Sequence, residues 1–190
     1  MRKQRFWYAA AAATVLLAAG CNGGADNQPS PTPTPTVSSP TASPSDSGSP
    51  SPSASVSIPA EAMAQTPEGA VAFVKFYTEQ INSAWIQPNA QLLEPLSDAT
   101  CQSCAALQAT AASLVQTQEK YLSPVLQLDS AAPSDGAPSG QQFILAQMQQ
   151  LASKRVDSAG TVKDEQAAQS ATRQFVLIWQ EGRWLVFGIA

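Results

Sequence analysis

Apolar side chains recur at structured spacing only from about Ala60 onward. Ala70, Val71, Phe73, Val74, Tyr77, Ile81, Ala84 and Trp85 follow one another mostly at three- and four-residue steps. That spacing predicts one amphipathic helix over about residues 67–85. Thr66-Pro67-Glu68 opens it with a capping hydroxyl, a proline suited to the first turn and a carboxylate at the positive end of the dipole. Pro88 ends it. Leu92, Leu93 and Leu96 predict a short helical turn interrupted by Pro95. A second helix is expected from Thr100 to about Lys120, with Cys104, Leu107, Ala111, Leu114, Val115 and Gln118 along one side.

After Pro124 the pattern changes. Val125–Leu128 reads as a short strand, and Asp129–Gly140 as a loop rich in Pro, Gly, Ser and Asp. Gln142–Ala152 reads as a strand, Asp157–Gly160 as a turn, and Thr161–Lys163 as a further short strand. Thr172–Gln180 and Arg183–Ile189 are rich in β-formers, and Glu181-Gly182 between them fits a two-residue hairpin loop. Asp164–Gln169 is polar and helix-prone. Helices followed by an antiparallel meander give an α+β domain over residues 60–190, with the N-terminal helices packed in a curved, cone-like sheet.

The first 59 residues follow other rules. Arg2, Lys3 and Arg5 precede an apolar run, Phe6–Ala19, that is shorter than the ~20 residues a bilayer demands. Residues 1–20 therefore read as a signal peptide. Leu17-Ala18-Ala19-Gly20-Cys21 resembles the bacterial lipobox, with Ala18 where leucine is usual. The resemblance implies that a diacylglycerol is carried on Cys21. Two or more acyl chains, at ~0.8 kcal/mol per buried methylene, hold a protein at a membrane. From Asn22 to Pro59, Pro, Ser and Thr dominate, too poor in apolar groups to offset the entropy of ordering. Residues 21–59 are thus expected to form a lipidated, disordered tether, reaching roughly 35 Å as a coil to about 120 Å extended. The expected location is the extracytoplasmic face of the cell membrane.

Charge narrows the choice of partners. Three of the 10 Lys and Arg precede Cys21, so the remainder sets 7 cations against 14 Asp and Glu. That balance disfavours nucleic acid, which needs clustered Lys and Arg. Lys154-Arg155 is too small a cluster to reverse it, and no Gly-rich phosphate loop is present. The chain has no histidine, which removes Ser-His-Asp and Cys-His catalysis and His-based metal ligation. Carboxylate-only acid–base chemistry stays open through a pair such as Asp157 and Glu165, whose first reading is solvated surface. No cofactor and no metal are expected, and the domain is read as non-catalytic.

With Cys21 lipidated, Cys101 and Cys104 remain, and an oxidising compartment pairs such thiols. A structural disulfide stapling the start of the second helix is the first reading. A thiol–disulfide oxidoreductase centre, and a reduced or metal-binding pair, stand beside it. Tyr77, Trp85, Phe175 and Trp179 are candidates to line a pocket, with core packing the alternative for these aromatics and for Trp184.

Thr66-Pro67-Glu68-Gly69-Ala70-Val71-Ala72-Phe73, Leu96-Ser97-Asp98, Cys101-Gln102-Ser103-Cys104 and the two final strands together resemble a family of actinobacterial lipoproteins with a domain of unknown function. Residues 60–190 also resemble the nuclear transport factor 2-like cone fold, in which a curved sheet closes around helices to leave a pocket. That likeness implies a fold and a location but no chemistry. The leading expectation is a membrane-anchored accessory or binding module, its partner an envelope protein. The alternatives are a small apolar ligand held in the cone pocket and redox chemistry at Cys101 and Cys104.

Overall fold

The computed structural model describes residues 56–190. The expected signal segment, Cys21 and nearly all of the expected tether lie outside the described residues. Helix α1 runs Pro67–Ile86 and α2 Gln102–Thr117, with 3-10 turns at Ala60–Met63, Ala90–Leu92 and Glu94–Leu96. The strands are β1 Lys120–Tyr121, β2 Leu126–Ser134, β3 Gln141–Gln150, β4 Ser153–Val156, β5 Val162–Gln166, β6 Gln169–Gln180 and β7 Arg183–Ile189. All pair antiparallel, in a four-stranded sheet ordered β2-β3-β6-β7 and a three-stranded sheet ordered β1-β4-β5. The fold is α+β, helices packed against antiparallel sheets, as the sequence predicts.

Helix α1 forms where its cap and apolar stripe place it. Thr66 Oγ1 accepts the Gly69 N–H at 3.1 Å. Ala70, Phe73, Val74, Tyr77, Ile81, Ala84 and Trp85 are buried and join the sheet residues Ile144, Phe175, Leu177 and Val186 in one core. Each large apolar chain so removed from water stabilises the fold by about 1.5–3 kcal/mol. Gly69 is required by a close approach, since a Cβ there would lie 2.1 Å from the Ala64 carbonyl oxygen.

Helix α2 buries Cys104, Ala111 and Leu114, whereas Val115, expected on the same side, is exposed. It stops at Thr117 rather than Lys120, because Gln118 turns left-handed at φ 54° and Lys120 enters β1.

The segment expected as a loop from Asp129 is strand as far as Ser134. A register shift between Leu128 and Ser130 admits the extra residue. Pro133 is tolerated because β2 is an edge strand, where its missing N–H breaks no ladder on the outer side.

The second correction falls on the polar run Asp164–Gln169, which reads as helix-prone but is extended. The β3–β6 ladder ends at Gln150↔Gln169 and resumes as β4–β5 at Ser153↔Gln166. These strands form one long ribbon interrupted by Leu151-Ala152 on one side and Ala167-Ala168 on the other. Cross-strand partners of opposite charge, Lys154↔Glu165 and Arg155↔Asp164, favour pairing over helix. At the far end, Glu181 and Gly182 adopt φ 52° and 78°, the paired positive angles of a tight hairpin turn.

Candidate functional site

Beside the break in the ribbon, a cavity of about 180 Å³ lies between the two helices and the inner face of the large sheet. Strand alternation fixes which residues reach it. From β6 come Gln169, Ala171, Arg173 and Phe175, and from β3 Met148 and Gln150. Ile81 and Trp85 of α1, Leu107 of α2, Leu126 and Ile189 complete the wall. In the ladder Ala171 faces Met148, and Arg173 faces the buried Ala146. Ala171, on the cavity wall, leaves space that a larger side chain would fill.

Of the pocket residues expected from sequence, Trp85 and Phe175 line this cavity, whereas Tyr77 and Trp179 do not. Trp85 is held by a hydrogen bond from Nε1 to the Leu107 carbonyl at 3.3 Å and by ring contact with Tyr121, centroids 5.7 Å apart. Phe175 meets Tyr77 edge-on at 6.4 Å. Tyr77 itself is wholly buried, its hydroxyl 3.2 Å from Ser97 Oγ, and burial pushes its pKa up against the smaller opposing effect of that hydrogen bond. Trp179 instead packs at 5.0 Å on Trp184, whose indole N–H donates to the Ala64 carbonyl at 2.8 Å. Sequence reasoning missed Gln150, Gln169 and Arg173. They follow the same alternation as their apolar neighbours, but a polar residue on a strand reads as solvent-facing.

The rim is polar and organised. Gln169 Nε2 donates to Gln150 Oε1 at 3.2 Å, and Gln150 Nε2 donates to Gln166 Oε1 at 2.6 Å. Arg173 is exposed and, among the described residues, enters no ion pair; its Nη1 donates only to the adjacent Thr172 carbonyl, at 3.5 Å. Three cations of the neighbouring strands β4 and β5 are engaged. Lys154 meets Glu165 at 2.8 Å, Lys163 meets Asp157 at 3.6 Å, and Arg155 bridges Glu119 and Asp164.

Arg155 and Asp164 line a second, more open cleft of about 470 Å³ with Tyr121 and Gln166. Burial raises the Tyr121 pKa there, the nearby Arg155 charge opposing it. Asp157 and Glu165 sit in separate ion pairs and converge on no common point. The Asp157 carboxylate accepts the Thr161 and Ala159 N–H groups, and the Thr161 bond chiefly holds its pKa down.

Cys101 and Cys104 form a disulfide, with Cα atoms 5.3 Å apart. Cys101 caps α2, its Sγ accepting the Cys104 N–H at 3.1 Å. Cys104 Sγ lies 3.7 Å from the Val186 carbonyl oxygen of β7. The two residues are 2% and 0% exposed, which closes the approach an attacking thiolate needs. Among the described residues no three His, Cys, Asp or Glu side chains converge as a metal site, and no helix is long and apolar enough to cross a membrane.

Residues 49–189 match one described family. The chain belongs to DUF6318, a family of unknown function. No curated protein matches it. Among solved structures, the intermembrane-space region of the chloroplast protein ARC6 is similar to this DUF6318 chain at TM-score 0.53 and 11% identity, over 67% of this chain and 96% of that one. A nuclear transport factor 2-like superfamily protein from Salmonella enterica gives TM-score 0.43 and 10% identity, over 65% and 90%. An uncharacterized protein with a cystatin-like fold from Caulobacter vibrioides gives 0.40 and 13%, over 61% and 83%. At such identity the ARC6 likeness is one of fold, and it brings no activity to DUF6318.

Proposed function

We propose that this DUF6318 protein is an extracytoplasmic lipoprotein, held at the membrane by acyl chains on Cys21, whose domain binds a small ligand without transforming it. The observation that carries the binding role is the cavity between Trp85, Phe175 and Met148, apolar within and rimmed by Gln150, Gln169 and Arg173. A concave, mostly apolar site with a few fixed polar groups is the usual form of a small-molecule site. The chain's lack of histidine and the separation of Asp157 from Glu165 support binding over turnover. The buried disulfide supports a structural staple over redox exchange. The basic start, short apolar run, Cys21 and Pro/Ser/Thr tether support the location.

Thermal denaturation of the purified protein against a panel of envelope metabolites and lipids tests the binding role. A ligand at 100 times its Kd raises stability by about 2.7 kcal/mol. Stabilisation that disappears when Ala171 is enlarged is the expected result. A panel without effect favours the accessory reading, with an envelope protein as partner. Location is tested separately by fractionating cells that carry Cys21→Ser, expected to release the protein from the membrane fraction.

A further inference from the structure

Among the residues that line the cavity, Arg173 is the one that carries charge, and no Asp or Glu stands with it. Acidic residues outnumber basic ones in the chain, and Lys154, Arg155 and Lys163 each meet a carboxylate, whereas Arg173 meets none among the described residues. A guanidinium left without an anion at the mouth of an apolar space presents a planar fork of N–H donors that matches a carboxylate. The cavity behind it, about 180 Å³, suits a body of one ring, since an apolar cavity of about 150 Å³ accommodates benzene. Trp85 and Phe175 supply aromatic walls and Met148 a polarisable thioether, all favourable to a ring. The Gln150–Gln169 amide pair adds neutral polar groups at the rim, with no second cation to favour a more highly charged head.

We infer that the cavity takes a small monocarboxylate with a single-ring or similarly compact apolar body, its carboxylate on the Arg173 guanidinium and its body between Trp85, Phe175 and Met148. This rests on the reading of the cavity as a ligand site and adds the class of ligand. Ala171 leaves room for the body, and Arg173 selects for charge.

Isothermal titration of the full chain in detergent, with 3-phenylpropanoate, 3-phenylpropanamide and toluene as probes, tests it. The acid is expected to bind at least about tenfold more tightly than its amide, as a charge-assisted contact predicts. Arg173→Gln should bring the acid down to the amide's affinity and leave the amide unchanged. Ala171→Met should weaken all three probes; its unfolding midpoint shows that it remains folded. Equal binding of acid and amide, or an acid affinity untouched by Arg173→Gln, overturns the carboxylate assignment while toluene binding keeps the cavity reading intact. No binding of any of the three overturns both.

Discussion

The side chain of Asn82 stands in for a strand partner to Leu126. Asn82 Oδ1 accepts the Leu126 N–H at 2.9 Å, and Asn82 Nδ2 donates to the Leu126 carbonyl at 2.7 Å. The same oxygen accepts the Val125 N–H at 2.9 Å. One amide on α1 thus satisfies the backbone where β2 begins. Asn82→Ala is expected to cost about 2–3 kcal/mol, since the half-buried Leu126 groups are left unpaired. Urea denaturation should show a lower midpoint with an unchanged slope. An unchanged midpoint would show that water replaces the amide.

Gly69 gives a prediction opposite in sign to helix propensity. Alanine inside an exposed helix gains about 1 kcal/mol over glycine. Here the added Cβ meets the Ala64 carbonyl, a backbone atom. Forced overpacking costs typically about 1–3 kcal/mol, so Gly69→Ala should lower the thermal midpoint. A raised midpoint would mean that the turn at Ala60–Met63 shifts freely.

The disulfide gives a third prediction. Replacing both cysteines by serine keeps a capping atom at Cys101 and removes the cross-link. A loop this short is worth about 2 kcal/mol by chain entropy. Calorimetry should show a lower midpoint with a retained fold. In the native protein, reduction should proceed only as fast as the domain opens, read as thiol labelling in dithiothreitol.

Acid dependence follows from Asp98. Its carboxylate accepts the Thr100 hydroxyl and, with a smaller effect, the Thr100 N–H, and these bonds lower its pKa. Between the folded and unfolded values the unfolded chain binds more protons. Stability from this group is therefore present above the ordinary carboxylate pKa and is lost as pH falls through the lowered one. Asp98→Asn should flatten the fall in unfolding free energy as pH drops below the ordinary aspartate pKa of about 3.9. An unaltered slope would assign the acid sensitivity elsewhere.

Helix α1 and the final hairpin were legible because local and tertiary preferences agree there. Thr66 and Pro67 start the helix, its stripe has one period, and Glu181-Gly182 supplies the turn. Disagreement marks what was not legible. Ala131, Pro133 and Ser134 hold a strand that their own preferences resist, because β3 offers a ladder and an edge forgives a proline. Asp164–Gln169 is held extended by Lys154, Arg155 and Gln150 on neighbouring strands, partners that lie beyond any local window. The cavity was half legible for the same reason. Trp85 and Phe175 stand out as large apolar groups, whereas Arg173 gains its meaning from Met148 and Trp85, which only the fold brings near.

Val186 of β7 lies over the cysteine pair, Trp184 ties down Ala64, and Ile189 closes one side of the cavity while its N–H bonds Ser103 Oγ at 2.9 Å. These contacts join residues more than 80 positions apart, so they form only once β7 docks on the helices and the amino-terminal turn. Without β7 the cysteine pair lacks that cover and the cavity lacks that side; docking of the one strand closes both. A domain that closed over reduced thiols would have to open again at β7 before an oxidant could reach them.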